Sequence, residues 1–212
     1  MIHVIIPLIF MMVCLHCFAQ YDNPDYRSKR DNFLKITDKD IRNDVATFSM
    51  AGIDESVGKN KLQSIPVTSY TTNSMTFSGN NIEVKIIAAP FDPSKHKMGY
   101  YEKFLAKIDN KAYYGDYGNV PKTYIQSVTV VIDHDTVPIP ATAYADLYNP
   151  DFVYTDASTG EVKSHNNVLL SNDKHKLYIY LLSADNNGGY EVTWVIQDKQ
   201  YLRRVVDFGF LK

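Results

Sequence analysis

The chain has 212 residues, a formal charge of −2 and interspersed acidic and basic side chains. That balance lacks the basic patch or stripe that nucleic-acid binding requires, and no Lys/Arg block adjoins an amphipathic stretch that could lie on a membrane. Sixteen tyrosines stand against one tryptophan; tyrosine is a strand former with an apolar body and a polar tip, so the excess points to β structure.

The first nineteen residues, MIHVIIPLIFMMVCLHCFA, form an apolar run that gives way at once to YDNPDYRSKRDN. The run is short for a bilayer span, which takes roughly 20 apolar residues. Its small terminal residue, Ala19, suits a cleaved signal peptide, although no Lys or Arg precedes the run. The expectation is export to the periplasm or the cell exterior, with no transmembrane span after cleavage. Cys14 and Cys17, the only cysteines, fall inside this segment. The exported chain then has no disulfide, no thiol nucleophile and no cysteine metal site, and about 190 residues suffice for a core-stabilised fold. The segment ending FAQ, together with the C-terminal run YEVTWVIQDKQYLRRVVDFGF, resembles small exported proteins of Bacteroidota type. That resemblance implies export and carries no activity or site residue.

Residues 20–60 read as an N-terminal segment and 61–212 as a β domain. The polar stretch 21–36 is expected to be loosely packed. A short amphipathic helix is expected over 38–51, capped by Thr37, with Ile41, Val45 and Phe48 on one face and Gly52 as the stop. It reads as a flap on the sheet. From Lys61 the hydrophobic period changes to two. Strands are expected over 62–70, 74–79 and 81–91, then a loop through Pro93. The stretch 104–114 reads as a hairpin around Asp109-Asn110, with a helix over 100–108 as the alternative. A long strand over 124–132 follows, then the VPIP strand, a helical turn over 142–148 and short strands around DASTGE and SNDK. The last strands are KLYIYLLSA, YEVTWVI and YLRRVVDFGF, with Trp194 on the core face beside Val192 and Ile196. Many short strands with turn signals predict a mainly β fold, an antiparallel β-sandwich or open barrel.

The Asp133-His134-Asp135 run is the sequence's closest approach to a chemical motif. As a calcium loop it fails, because the fifth, sixth and twelfth positions from Asp133 are Val137, Pro138 and Tyr144. Two aspartates two residues apart on a strand lie roughly 6–7 Å apart at Cα, but on one turn they imply no cleft for glycoside cleavage. Alternation of Val128, Val130 and Ile132 before the run, and of Val137 and Ile139 after it, makes 133–136 a hairpin turn. Pro138 and Pro140 both lack the backbone N–H, which places this strand at an outer sheet edge. Asp133 and Asp135 remain weak metal candidates. His96 and His175 each sit in a KHK triplet and read as solvated turn residues. No G-x-S-x-G elbow and no Gly-rich phosphate loop is present, and no cofactor is indicated.

The ligand-binding candidates are Tyr101, Tyr114, Asp116, Tyr117 and Asn119. Adjacent residues on a strand face opposite ways, so one tyrosine of each pair, Tyr100/Tyr101 and Tyr113/Tyr114, is expected to be exposed. A flat aromatic face beside Asp and Asn suits sugar recognition. Three classes follow: an exported non-catalytic binding domain, with a glycan or an envelope protein as partner; an exported hydrolase acting on glycans or esters; and a structural subunit of an envelope assembly, which an exposed sheet edge would favour.

Overall fold

The computed structural model describes residues 31–116, 118–184 and 189–208; the expected signal peptide, Tyr117, most of the DNNGG loop and the end of the last strand lie outside them. Fourteen strands are described: β1 Gln63–Ile65, β2 Val67–Thr71, β3 Ser74–Gly79, β4 Ile82–Pro90, β5 Met98–Tyr101, β6 Phe104–Ile108 and β7 Thr123–Ile132. Then follow β8 Asp135–Val137, β9 Tyr154–Thr155, β10 Val162–Lys163, β11 Asn167–Leu170, β12 Lys176–Ser183, β13 Tyr190–Gln197 and β14 Gln200–Phe208. One five-stranded sheet has the order β1-β11-β12-β13-β14 and the other β2-β3-β4-β7-β8, and every pairing is antiparallel. The two stay separate and pack face to face, so of the two expected architectures the protein is the sandwich and not the barrel.

Pro66 explains how the sheets share a chain. The expected strand over 62–70 is two strands: β1 pairs with β11 in one sheet, and β2 pairs with β3 in the other. Proline cannot donate to a ladder, so pairing stops there and the chain changes sheets. The inter-sheet core then follows from alternation. Phe77, Val84, Ile86 and Val130 face Ile179, Val192, Trp194 and Val206. Trp194 is fully buried, and its indole N–H donates to the Ala143 carbonyl at 2.8 Å.

Burial on both faces distinguishes β12 and β13. Their outer face meets a second cluster, in which Leu169, Tyr178, Val195 and Val205 pack against Phe33, Ile36, Ile41 and Val45. The helix α1 is Lys39–Ala46, shorter than the expected 38–51, and its cap is Asp38 rather than Thr37. The Asp38 carboxylate accepts from the backbone N–H groups of Asp40 and Ile41, which a carboxylate at this position does well. After Thr47 the chain turns down onto the sheet. Gly52 is required there, since a Cβ would lie 2.6 Å from the Ala46 Cα. The expectation of a loose start is overturned from residue 31 onward: Phe33 and Ile36 are buried, because the outer sheet face needs cover.

The Asp-His-Asp hairpin is tighter than expected. Asp133 and His134 alone form the turn, with φ of 50° and 72°, and Ile132 pairs with Asp135. β8 is an edge strand, but Pro138 and Pro140 lie past its end and terminate it. The hairpin expected around Asp109-Asn110 is also corrected. The turn exists, with both φ positive, but it closes only the Ile108–Lys111 bridge. The partner of β6 is β5 on the other side, so 100–108 is a hairpin and not a helix. Between Gly99 and Tyr100 the register slips, and the extra residue on β6 lets Leu105 and Ile108 both point inward. The helical turn expected over 142–148 is a single 3-10 turn at Ala141–Ala143, followed by an irregular run to buried Leu147 and Tyr148. Among the described residues no helix is long and apolar enough to cross a membrane.

Candidate functional site: an aromatic cleft beside the β5–β6 hairpin

The β5–β6 hairpin docks on the flank of the sandwich through Leu105 and Ile108, which pack with Phe91, Tyr113 and Tyr148. Where it meets the sheet there is a cleft of about 610 Å³. Each wall has a different origin. Phe91 follows β4 and is held by its N–H to the Lys122 carbonyl. Tyr124 and Gln126 come from β7, and Thr142 and Tyr144 from the run after β8. Tyr148 stands at the centre, edge-on to Phe91 at 5.3 Å and to Tyr113 at 5.6 Å between ring centroids.

Backbone geometry sets this arrangement. Tyr148 donates its N–H to the Tyr114 carbonyl at 2.9 Å, and the neighbouring Gly115 has φ +94°. A Cβ on Gly115 would lie 2.3 Å from the Tyr148 carbonyl oxygen, so only glycine permits the close approach. Three carbonyls surround the Tyr113 hydroxyl, with the shortest donor–acceptor distances, 3.2 Å, to Leu105 and Asn119. Burial, and then the nearby carboxylates of Asp109 and Asp146, push the Tyr148 phenol up to about 12. It stays neutral at physiological pH.

Polar groups ring the aromatic floor. His96 stacks on Phe91 at 4.7 Å, and its Nδ1 lies 2.7 Å from the Asp109 carboxylate. Asp109 also accepts from the Lys97 N–H, and these two contacts hold its carboxyl below the usual range. Asp146 takes a two-pronged bond from Arg204 at 2.5 and 2.8 Å. Lys111, Gln126 and Thr142 also line the cleft. His96 thus lies in a turn as its KHK context suggested, but it is half-buried and anchored by a carboxylate instead of simply solvated.

The sequence candidates fall elsewhere. Tyr101 stands on the hairpin tip, 62% exposed, directly opposite Phe104. Tyr114 is buried in the inter-sheet core, near Tyr190 and Phe208. The Asp116 carboxylate accepts from the side chains of Asn119 at 2.9 Å and Asn149 at 3.4 Å, so the structure brings Asp116 and Asn119 together. Tyr117 lies outside the described residues. None of the other four lines the cleft. The expected one-in, one-out tyrosine pairs are corrected too: Tyr113 and Tyr114 are both buried, and Tyr100 and Tyr101 are both exposed. Alternation fails at 113–114 because that run is loop, and at 100–101 because the hairpin tip projects beyond the sheet.

Asp133 and Asp135 both contact the Lys199 Nζ at 3.2 Å, so an ammonium occupies the place a cation would take. Among the described residues no group of three His, Asp or Glu side chains could hold a metal ion. Asp133 borders a second cleft of about 620 Å³, with Asn81, Lys174, His175, Asp198 and Lys199. There His175 Nδ1 lies 2.7 Å from Asp198, whose hydrogen bond and then negative charge raise the imidazole above its ordinary value.

The fold and the flank cleft define a two-sheet antiparallel β-sandwich with an aromatic pocket beside a docked hairpin. No protein-family model, no curated protein and no solved structure matches the chain.

Proposed function

We propose that the protein is an exported, non-catalytic binding domain whose aromatic cleft takes a glycan. The observation that carries this reading is the lining. Phe91, Tyr124, Tyr144 and Tyr148 supply ring surface, while Gln126, Thr142 and Lys111 supply hydrogen-bonding groups at its margin. A concave, mostly apolar pocket with a few polar groups is the usual form of a small-ligand site. Export rests on the apolar run of residues 1–19. Tyr101 and Phe104, exposed on the hairpin that leaves the cleft rim, add ring surface of the same kind.

One observation favours a second reading, a hydrolase acting on glycans or esters. The His96–Asp109 contact lies in the same cleft, and a carboxylate that orients an imidazole is the usual partner of a general base. The two readings separate in one experiment, in which the purified protein is titrated with a panel of soluble oligosaccharides and assayed for their cleavage. A binding domain shows saturable binding without turnover, and His96→Ala leaves that binding within a few-fold. A hydrolase shows turnover that His96→Ala abolishes. Absence of both binding and turnover across the panel would defeat the glycan reading.

A further inference from the structure

We infer that residues 31–51 form a proton-tightened latch over the outer face of the sheet containing β12, β13 and β14. The cap is tied down largely by carboxylates. Asp207 accepts from the Phe33 N–H at 2.9 Å. Glu191 accepts from the Met50 and Ala51 N–H groups at 2.7 and 2.8 Å and from the Tyr180 hydroxyl at 2.6 Å. On the cap itself, Asp44 accepts from the Tyr178 hydroxyl at 2.7 Å.

Glu191 and Asp207 are directly opposite in the β13–β14 register, so both project from the outer face. Glu191 is only 2% exposed. Among the described residues, no Lys or Arg pairs with either one. The nearby cations are committed elsewhere: Arg42 to Glu55, Arg204 to Asp31 and Asp146, and Lys176 to Asp173. Of the charges on α1, Asp44 faces the interface while Asp38, Lys39 and Asp40 are exposed; Arg203, on the same face of β14 as Asp207, pairs with neither carboxylate among the described residues. Closing the cap therefore dries two carboxylates that oppose each other, with hydrogen bonds but no counter-charge.

The sign follows from that arrangement. Burial raises Glu191, and burial followed by the charge of Glu191 pushes Asp207 up to about 6. With the cap open both carboxylates are hydrated and titrate near 4. The closed state thus binds protons more tightly, and the latch strengthens as pH falls from about 7 toward 4. Protonation keeps the Asp207 tie on the carbonyl oxygen, while at Glu191, whose two oxygens each accept one N–H, one tie passes to the hydroxyl oxygen, a weaker acceptor. Opening would uncover Leu169, Tyr178, Val195 and Val205.

Hydrogen exchange on the intact protein tests this, with rates corrected for the intrinsic pH dependence of amide exchange. Protection of the Phe33, Met50 and Ala51 amides is expected to fall on the order of a hundredfold between pH 4.5 and pH 7.5, while the amides of β4 and β7 change far less. Asp207→Asn keeps the acceptor for the Phe33 N–H and removes one of the two titrating groups, and is expected to reduce the slope of protection with pH; Glu191→Gln would set an amide NH2 against a backbone N–H and is not the control. Corrected protection in the wild type that is flat, or that rises with pH, overturns the latch. The wild-type profile decides even if Asp207→Asn does not fold, and a folded Asp207→Asn protein that keeps the full wild-type slope overturns the latch as well.

Discussion

The two clefts are nearly equal in size, about 610 and 620 Å³, and each holds a histidine 2.7 Å from an aspartate. Their linings share little else. The flank cleft is walled by aromatic rings from several separate segments, and its histidine is stacked on Phe91. The end cleft lies where hairpin turns converge, and its charges already neutralise one another: Lys199 with Asp133 and Asp135, His175 with Asp198, Lys176 with Asp173. Volume and a His–Asp contact are thus poor guides to a site. Water-exposed ring surface releases free energy when a ligand covers it, whereas exposed ion pairs in high dielectric offer little.

The comparison can be broken most severely at Tyr148. Tyr148→Ala removes a buried ring at the junction of hairpin, loop and sheet, and is expected to cost about 3 kcal/mol of stability and to abolish ligand binding. Chemical denaturation checks the first outcome and titration the second. Tyr144→Ala is milder. Tyr144 is only partly buried, so stability should change little while glycan affinity drops roughly tenfold, about 1.4 kcal/mol. If Lys199→Ala in the end cleft weakened the ligand as much as Tyr144→Ala, the assignment of the site would be reversed.

The smallest effect is a pH dependence in the end cleft. Because Asp198 raises the His175 imidazole, the pair contributes fully below the ordinary histidine value near 6.5 and is lost as pH rises through the higher folded value. Both groups are exposed, so the contribution is small and falls further with salt. A His175 titration followed by NMR should show a midpoint above that of an unpaired histidine, returning toward it in Asp198→Asn.

Legibility from the sequence differed sharply between elements. Alternation placed Trp194 with Val192 and Ile196 on the core face, and the structure agrees. The edge position of the VPIP strand also followed from residue chemistry, although the prolines end that strand instead of lying in it. The histidines lie in turns as expected, and His175 is solvated, but their neighbours did not reveal the aspartate each one meets. In both KHK triplets the flanking lysines are adjacent in sequence, but the deciding carboxylates, Asp109 and Asp198, lie 13 and 23 residues away. The flank cleft was less legible still. The helical turn expected over 142–148 contained both Tyr144 and Tyr148, yet nothing local joined them to Phe91 and Tyr124.

By itself the sequence determined what short-range physics can decide. Period-two burial, turn residues able to adopt positive φ, and prolines that stop a ladder together define an antiparallel β fold and most of its strands. Tertiary structure alone decided which strands share a sheet, which tyrosines are buried and which carboxylates meet a histidine or a backbone N–H. Those outcomes depend on groups far apart in the chain being dehydrated together, and no local window of sequence encodes that free energy.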